Sequence, residues 1–313
     1  MFQLYKNRNF NEIIGDTFNF FKIHGKNYFA NYLAINGGIL LVLIVLLYFF
    51  MKVFYDGLFA NGTINNNLII ENYFEENLTL FIGYGIGAFV LILILTLISH
   101  LYPIAYLKLI EKNEETNTKN LWNFIQSKLG KSIVFFLLTG ITMLPICIAL
   151  LFLCMLLFFI IVGIPLLMLV FPAMLICLSF AYYNYISTND GYFTSISKGY
   201  KLFIKKPWPL IGSTMIIYMI VNTVVTVISF IPYFAGIFSL LFNIETQKTE
   251  NLPESFTFIM VMVALTFILS ISLNYLLQNI IFVNQGIMYY TRIDETENTS
   301  KLSEIDLIGS NEE

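Results

Sequence analysis

The chain reads as an all-α polytopic membrane protein, with six transmembrane helices and about three cytoplasmic interfacial amphipathic helices. Three observations predict this class. Hydrophobic residues make up 58% of the 313 residues and charged residues 12%, against about 45–50% and about 25% in a soluble domain. Six apolar stretches reach the roughly 20 residues that a spanning helix needs. The basic residues between those stretches fall almost entirely on alternate loops, which only an even number of spans allows.

The expected spans are 33–54, 78–101, 133–161, 165–186, 208–231 and 256–288. The third and fourth meet at "VGIPLL", where Gly163 and Pro165 suit a tight outer turn. Pro145 inside the third predicts a kink. After Pro232, "YFAGIFSLLFN" is apolar but short, so it is expected as an outer-leaflet or partly re-entrant helix. The opening residues, which include Lys6, Arg8, Glu12 and Asp16, lack the apolar core and small-residue cleavage site of a signal peptide.

Counting Lys and Arg orients the spans. Lys6, Arg8, Lys22 and Lys26 precede the first. Lys108, Lys112, Lys119, Lys128 and Lys131 lie between the second and third, Lys198, Lys201, Lys205 and Lys206 between the fourth and fifth, and Arg292 and Lys301 after the sixth. The opposite side holds only Lys52 and Lys248, the remaining two of the 17. By the positive-inside rule both termini are expected in the cytoplasm.

Each cytoplasmic segment that leads outward has an amphipathic form. The first places Phe10, Ile13, Ile14, Phe18 and Phe21 on one helical face, the second Leu121, Trp122, Ile125 and Leu129, the third Phe193, Ile196, Tyr200 and Phe203. Spacings near i, i+3/i+4, i+7 fit helices lying in the headgroup plane. Thr188, Asn189 or Asp190 suits the N-cap of the third, and Pro207 its corner into the fifth span. A Lys follows each segment (Lys26, Lys131, Lys206). One transmembrane domain over 1–290 therefore divides into three elbow-plus-hairpin units, 8–111, 117–186 and 189–290. An acidic cytoplasmic tail, 291–313, follows, in which Ser300 can cap a short helix carrying Leu302, Ile305 and Ile308.

Two sets of residues are candidates for function. Lys198, Lys201, Lys205, Lys206 and Trp208 are expected lipid-headgroup contacts, at about 1 kcal/mol per Lys or Arg near an anionic surface; the same pattern also serves plain topology anchoring. Asn222, Thr226, Asn274 and Gln278, in the fifth and sixth spans, either line a polar cavity or hydrogen-bond helix to helix. No Asp, Glu, Lys or Arg lies deep in a span, where a transport or catalytic site would show itself. His24 and His100 are far apart, and Cys147, Cys154 and Cys177 sit in apolar runs, so neither a metal site nor a disulfide framework is expected. "GYGIGA" at Gly83, Gly85 and Gly87 is mid-span with no strand before it, which fits close helix packing rather than a nucleotide loop. No cofactor, metal or enzymatic activity is expected, and no nucleic-acid partner.

The segments "FNEIIGDTFNFFK", "FPAMLICLSFAYYN", "SISKGYKLFIKKPWPLIG" and "YYTRIDETENTSKLSEIDLIG" resemble a group of bacterial multi-pass proteins common in Bacteroidota, similar to the membrane domain fused to some glycerophosphodiester phosphodiesterases. The resemblance implies a membrane module without hydrolase activity, since the acidic metal-binding residues of the phosphodiesterase domain have no counterpart here. Two readings follow. One is a non-catalytic module of a bacterial inner membrane, organising anionic lipid or serving a partner complex or a second copy of itself. The other is a permease for a neutral or amphipathic solute.

Overall fold

The apolar stretches fold into helices much longer than a bilayer requires. A computed structural model describes residues 2–58, 72–73, 75–158, 163–245 and 252–297. Its helices are α1 (Phe10–Leu58), α2 (Leu78–Glu111), α3 (Thr118–Phe158), α4 (Gly163–Ser187), α5 (Tyr192–Ile204), α6 (Pro207–Glu245) and α7 (Leu252–Glu297). All but α5 are long and apolar enough to cross a membrane, six in number. The protein is all-α and polytopic, and the described residues contain no strand.

Two of the three expected elbows are not separate helices. α1 runs unbroken for 49 residues, about 73 Å at 1.5 Å per residue, so the Phe10–Phe21 segment is the first part of the spanning helix. α3 likewise runs for 41 residues from Thr118. Neither junction holds a proline: Gly25-Lys26-Asn27 and Gly130-Lys131-Ser132 leave every backbone N–H in place for the helical ladder. The third junction holds Pro207, and there alone the helix breaks, separating the 13-residue α5 from α6.

Internal prolines did not stop the other helices. α6 continues through Pro232 for 39 residues, so the segment after that proline extends the fifth span rather than forming a re-entrant piece. α3 continues through Pro145 and α2 through Pro103. Pro removes one ladder bond, which spanning helices tolerate. α7 extends to Glu297, past the expected end of its span. The expected tail helix from Ser300, and residues 159–162, lie outside the described residues.

The chain divides into two compact units. One comprises Asn36–Thr96 and Val221–Gln278. There Leu40 and Leu43 of α1 meet Ala88 and Leu95 of α2, with Ile271 and Tyr275 of α7 against them. Gly85 and Gly87 of the glycine stripe face Phe50 and Leu46 of α1; they serve helix packing.

The other unit comprises Met1–Ile35, Leu97–Ile220 and Asn279–Glu313. Its core is built from tyrosines. Tyr28 meets Tyr102 at 4.9 Å and Tyr106 at 4.8 Å between ring centroids. Buried phenols need partners, and these have them. Tyr102 Oη donates to the Tyr28 carbonyl (2.6 Å), Tyr28 Oη to Asn279 Oδ1 (2.8 Å), and Tyr32 Oη shares a bond with Ser99 Oγ (2.8 Å). α1, α2 and α7 are thus tied by directional bonds as well as by area.

Candidate lipid-headgroup interface

α5 is seated by the turn that precedes it. The N-cap position falls on Gly191, which has extended backbone and makes no side-chain cap, so none of Thr188, Asn189 and Asp190 caps the helix. Asp190 instead spans the joint. Its Oδ2 accepts from Lys198 Nζ and from Asn184 Nδ2, both at 2.7 Å. Those two bonds, the lysine first, hold its carboxyl below the ordinary value of 3.8. Asn184 Nδ2 also reaches Ser195 Oγ at 3.1 Å, fastening the first turn of α5 to the last turns of α4.

At about 100° per residue, α5 presents three faces. Tyr192, Ser195, Gly199 and Leu202 fall on one side and are buried. Gly199 makes the contact with α4 close: a Cβ there would lie 2.7 Å from Ala181 N and 2.9 Å from Cys177 O. A second face carries Phe193 (71% exposed), Tyr200 (53% exposed) and Ile204, with Ile196 and Phe203 half-buried at its border. A third carries Lys198, Lys201 and Lys205, all exposed. The apolar face read from the sequence therefore points outward, and the helix packs through its glycine face. An exposed apolar strip beside an exposed cationic strip is the arrangement of a helix at a membrane surface.

The corner after α5 continues the pattern. Trp208 is 69% exposed, an amphipathic ring suited to headgroup depth. Lys206 pairs with Glu295 at 3.1 Å, and Lys205 Nζ lies 3.4 Å from Thr296 Oγ1. Arg292, buried, donates from Nε to the Leu202 carbonyl (3.1 Å) and pairs with Glu295. The end of α7 thereby anchors the end of α5.

A second ionic network lies in the same unit and was not legible from the sequence. Arg8 is buried and donates to Asp16 (2.8 Å), to the Leu4 and Gln3 carbonyls, and to Thr291 Oγ1 (3.1 Å). Burial draws its guanidinium below its ordinary pKa while Asp16 opposes that. Glu111 gathers Tyr5 Oη (2.9 Å), Tyr290 Oη (2.7 Å) and Lys108 Nζ (2.6 Å). The one local signal was Asn9 and Glu12, whose reciprocal bonds of 3.0 and 2.9 Å form a capping box that opens α1.

The candidate polar-cavity residues are distributed differently. Asn274 Nδ2 donates to the Ser270 carbonyl one turn back in its own helix (2.9 Å). Thr226 is exposed on α6, and Asn222 and Gln278 are half-buried. Other polar residues of α7 join helices within their unit: Asn284 Nδ2 donates to Thr17 Oγ1 (2.9 Å) and Ser213 Oγ (3.2 Å), and Ser179 Oγ donates to Gln285 Oε1. His100 lies between the rings of Phe136 and Phe282. Among the described residues no His, Cys, Asp and Glu group is arranged to hold a metal ion.

No family model, curated protein or solved structure matches this chain at a significant level.

Proposed function

We propose that the protein is a non-catalytic membrane module that gathers anionic lipid around the α5–α6 corner, seated in a bacterial inner membrane with both termini in the cytoplasm. The observation that carries the reading is the exposure pattern of α5. Its outward faces hold Phe193, Tyr200 and Ile204 on one strip and Lys198, Lys201 and Lys205 on another. In a bilayer the first strip sits among acyl chains and the second meets headgroups. Four lysines close together, at about 1 kcal/mol each, favour anionic over zwitterionic lipid. The heavy bias of Lys and Arg toward the loops on one side supports the cytoplasmic placement of this face. The resemblance to Bacteroidota multi-pass proteins supports the bacterial membrane.

The chain has two tryptophans, so Trp122→Phe leaves Trp208 as the sole reporter at the corner. In vesicles of equal parts phosphatidylglycerol and phosphatidylcholine, brominating the chains of one lipid or the other reports which one surrounds it. Brominated phosphatidylglycerol is expected to quench Trp208 severalfold more effectively. Added salt should shrink the difference, and replacing Lys198, Lys201, Lys205 and Lys206 by Gln should abolish it. Equal quenching by both lipids in the Trp122→Phe protein would overturn the reading.

A further inference from the structure

Below the basic corner, a groove of about 430 Å³ opens between α4 and α6. Met168, Phe171, Pro172 and Leu175 form one wall, and Thr214, Met215, Tyr218 and Met219 the other. Phe171 and Tyr218 touch edge-on, with centroids 5.9 Å apart, and join the two walls. Of its two hydroxyl-bearing residues, Thr214 turns its hydroxyl toward Met288 Sδ, 4.0 Å away, and Tyr218 is the other; the remaining lining residues are apolar. Three methionines give it a lining that adapts to a flexible guest.

We propose that this groove retains one acyl chain of an anionic glycerophospholipid whose phosphate sits at the Lys205-Lys206 corner. Two observations select that occupant. Trp208, Met215 and Met219 recur on α6 at i, i+7 and i+11, one stripe of the helix, so the groove lies in line with the exposed indole that follows Lys206 and Pro207. Thr214 and Met219 lie seven and twelve residues beyond Pro207, about 10 and 18 Å along the helix. A leaflet's hydrocarbon is about 15 Å deep, so a chain descending from a headgroup at the corner reaches this groove. Charge complements the placement. Lys201, Lys205 and Lys206 (59% exposed) gather here, and Glu295 pairs at this corner with Lys206 and Arg292. The site deepens the lipid-gathering reading and rests on it.

Native mass spectrometry of the full chain, released by mild detergent from nanodiscs of equal parts phosphatidylglycerol and phosphatidylcholine, tests the proposal. Wild type is expected to keep one phosphatidylglycerol. Met215→Trp, which fills the groove, should lower that adduct about tenfold. Lys205→Gln with Lys206→Gln should leave the two lipids equally retained. Leu137→Trp, at a residue 62% exposed on α3, should behave as wild type. A phosphatidylglycerol carrying a diazirine on its acyl chain, used on the unmodified protein, should label 168–175 and 214–219. No retained lipid, an undiminished adduct in Met215→Trp, or label spread evenly over the exposed residues of α3 would each overturn the site. If Trp208 still prefers brominated phosphatidylglycerol when no adduct survives, the groove fails and the lipid-gathering reading stands. If that preference is also absent, both fail.

Discussion

A side chain at position 199 would collide with the Ala181 nitrogen and the Cys177 carbonyl oxygen, at 2.7 and 2.9 Å from its Cβ. Both are backbone atoms, and neither can rotate away. Gly199→Val should therefore lift α5 from α4 and cost about 1–3 kcal/mol, the usual range for overpacking. A fall in the thermal unfolding midpoint in detergent is the expected result; an unchanged midpoint would show that α5 does not lie this close to α4. In the sequence Gly199 is not among the residues that the amphipathic pattern marks. Close approach of backbones depends on which partner arrives, and periodicity carries no information about that. The same limit hid Arg8 and Glu111. Charged residues near a chain end or a helix end read as solvated, and only the tertiary neighbours Asp16, Thr291, Tyr5 and Tyr290 make their burial tolerable.

The joint between α4 and α5 carries a pH dependence of definite sign. Lys198 and Asn184 depress the folded-state pKa of Asp190 below its ordinary 3.8. A depressed carboxylate contributes stability that is complete above its unfolded pKa and is lost as pH falls through the folded one. The seating of α5 should thus hold at neutral pH and loosen as the pH falls below about 4. The protection factors of the 192–204 amides, each taken against the intrinsic exchange rate at the same pH, should fall in acid in the wild type. In Asp190→Asn they should already be lower at neutral pH and change little on acidification. Protection of those amides that does not depend on pH in the wild type would count against this contact. A break between helices was legible at Pro207 and was wrongly expected at the two junctions that hold no proline. Pro207 separated α5 from α6 as read. The patterns at Phe10–Phe21 and Leu121–Leu129 are as amphipathic as α5, yet they continue into their spans, because amphipathicity fixes which face is buried and says nothing of where a helix stops. Pro232 erred the other way: inside an apolar stretch the rest of the ladder outweighs its one missing bond.

Across the whole molecule, the class and the number of spans followed from hydropathy, since roughly 20 apolar residues have few other uses. The six long helices match the six stretches one for one. The polar sites were harder to read. Asn284 and Gln285 emerge as ties between helices because Thr17, Ser213 and Ser179 meet them, partners remote in the chain. The exposed lysines of α5 and its corner were visible in advance, because loop charge answers to the membrane rather than to the fold. On the proposed reading α5 lies at the membrane surface with one outward face in lipid and the other in water. Spin labels placed singly at Phe193, Tyr200 and Ile204, and at Lys198, Lys201 and Lys205, in anionic vesicles report it by their collisions with oxygen and with a soluble nickel chelate. Oxygen-dominated relaxation is expected at the first three positions and nickel-dominated relaxation at the other three. Nickel-dominated relaxation at all six would place α5 in water and contradict that reading.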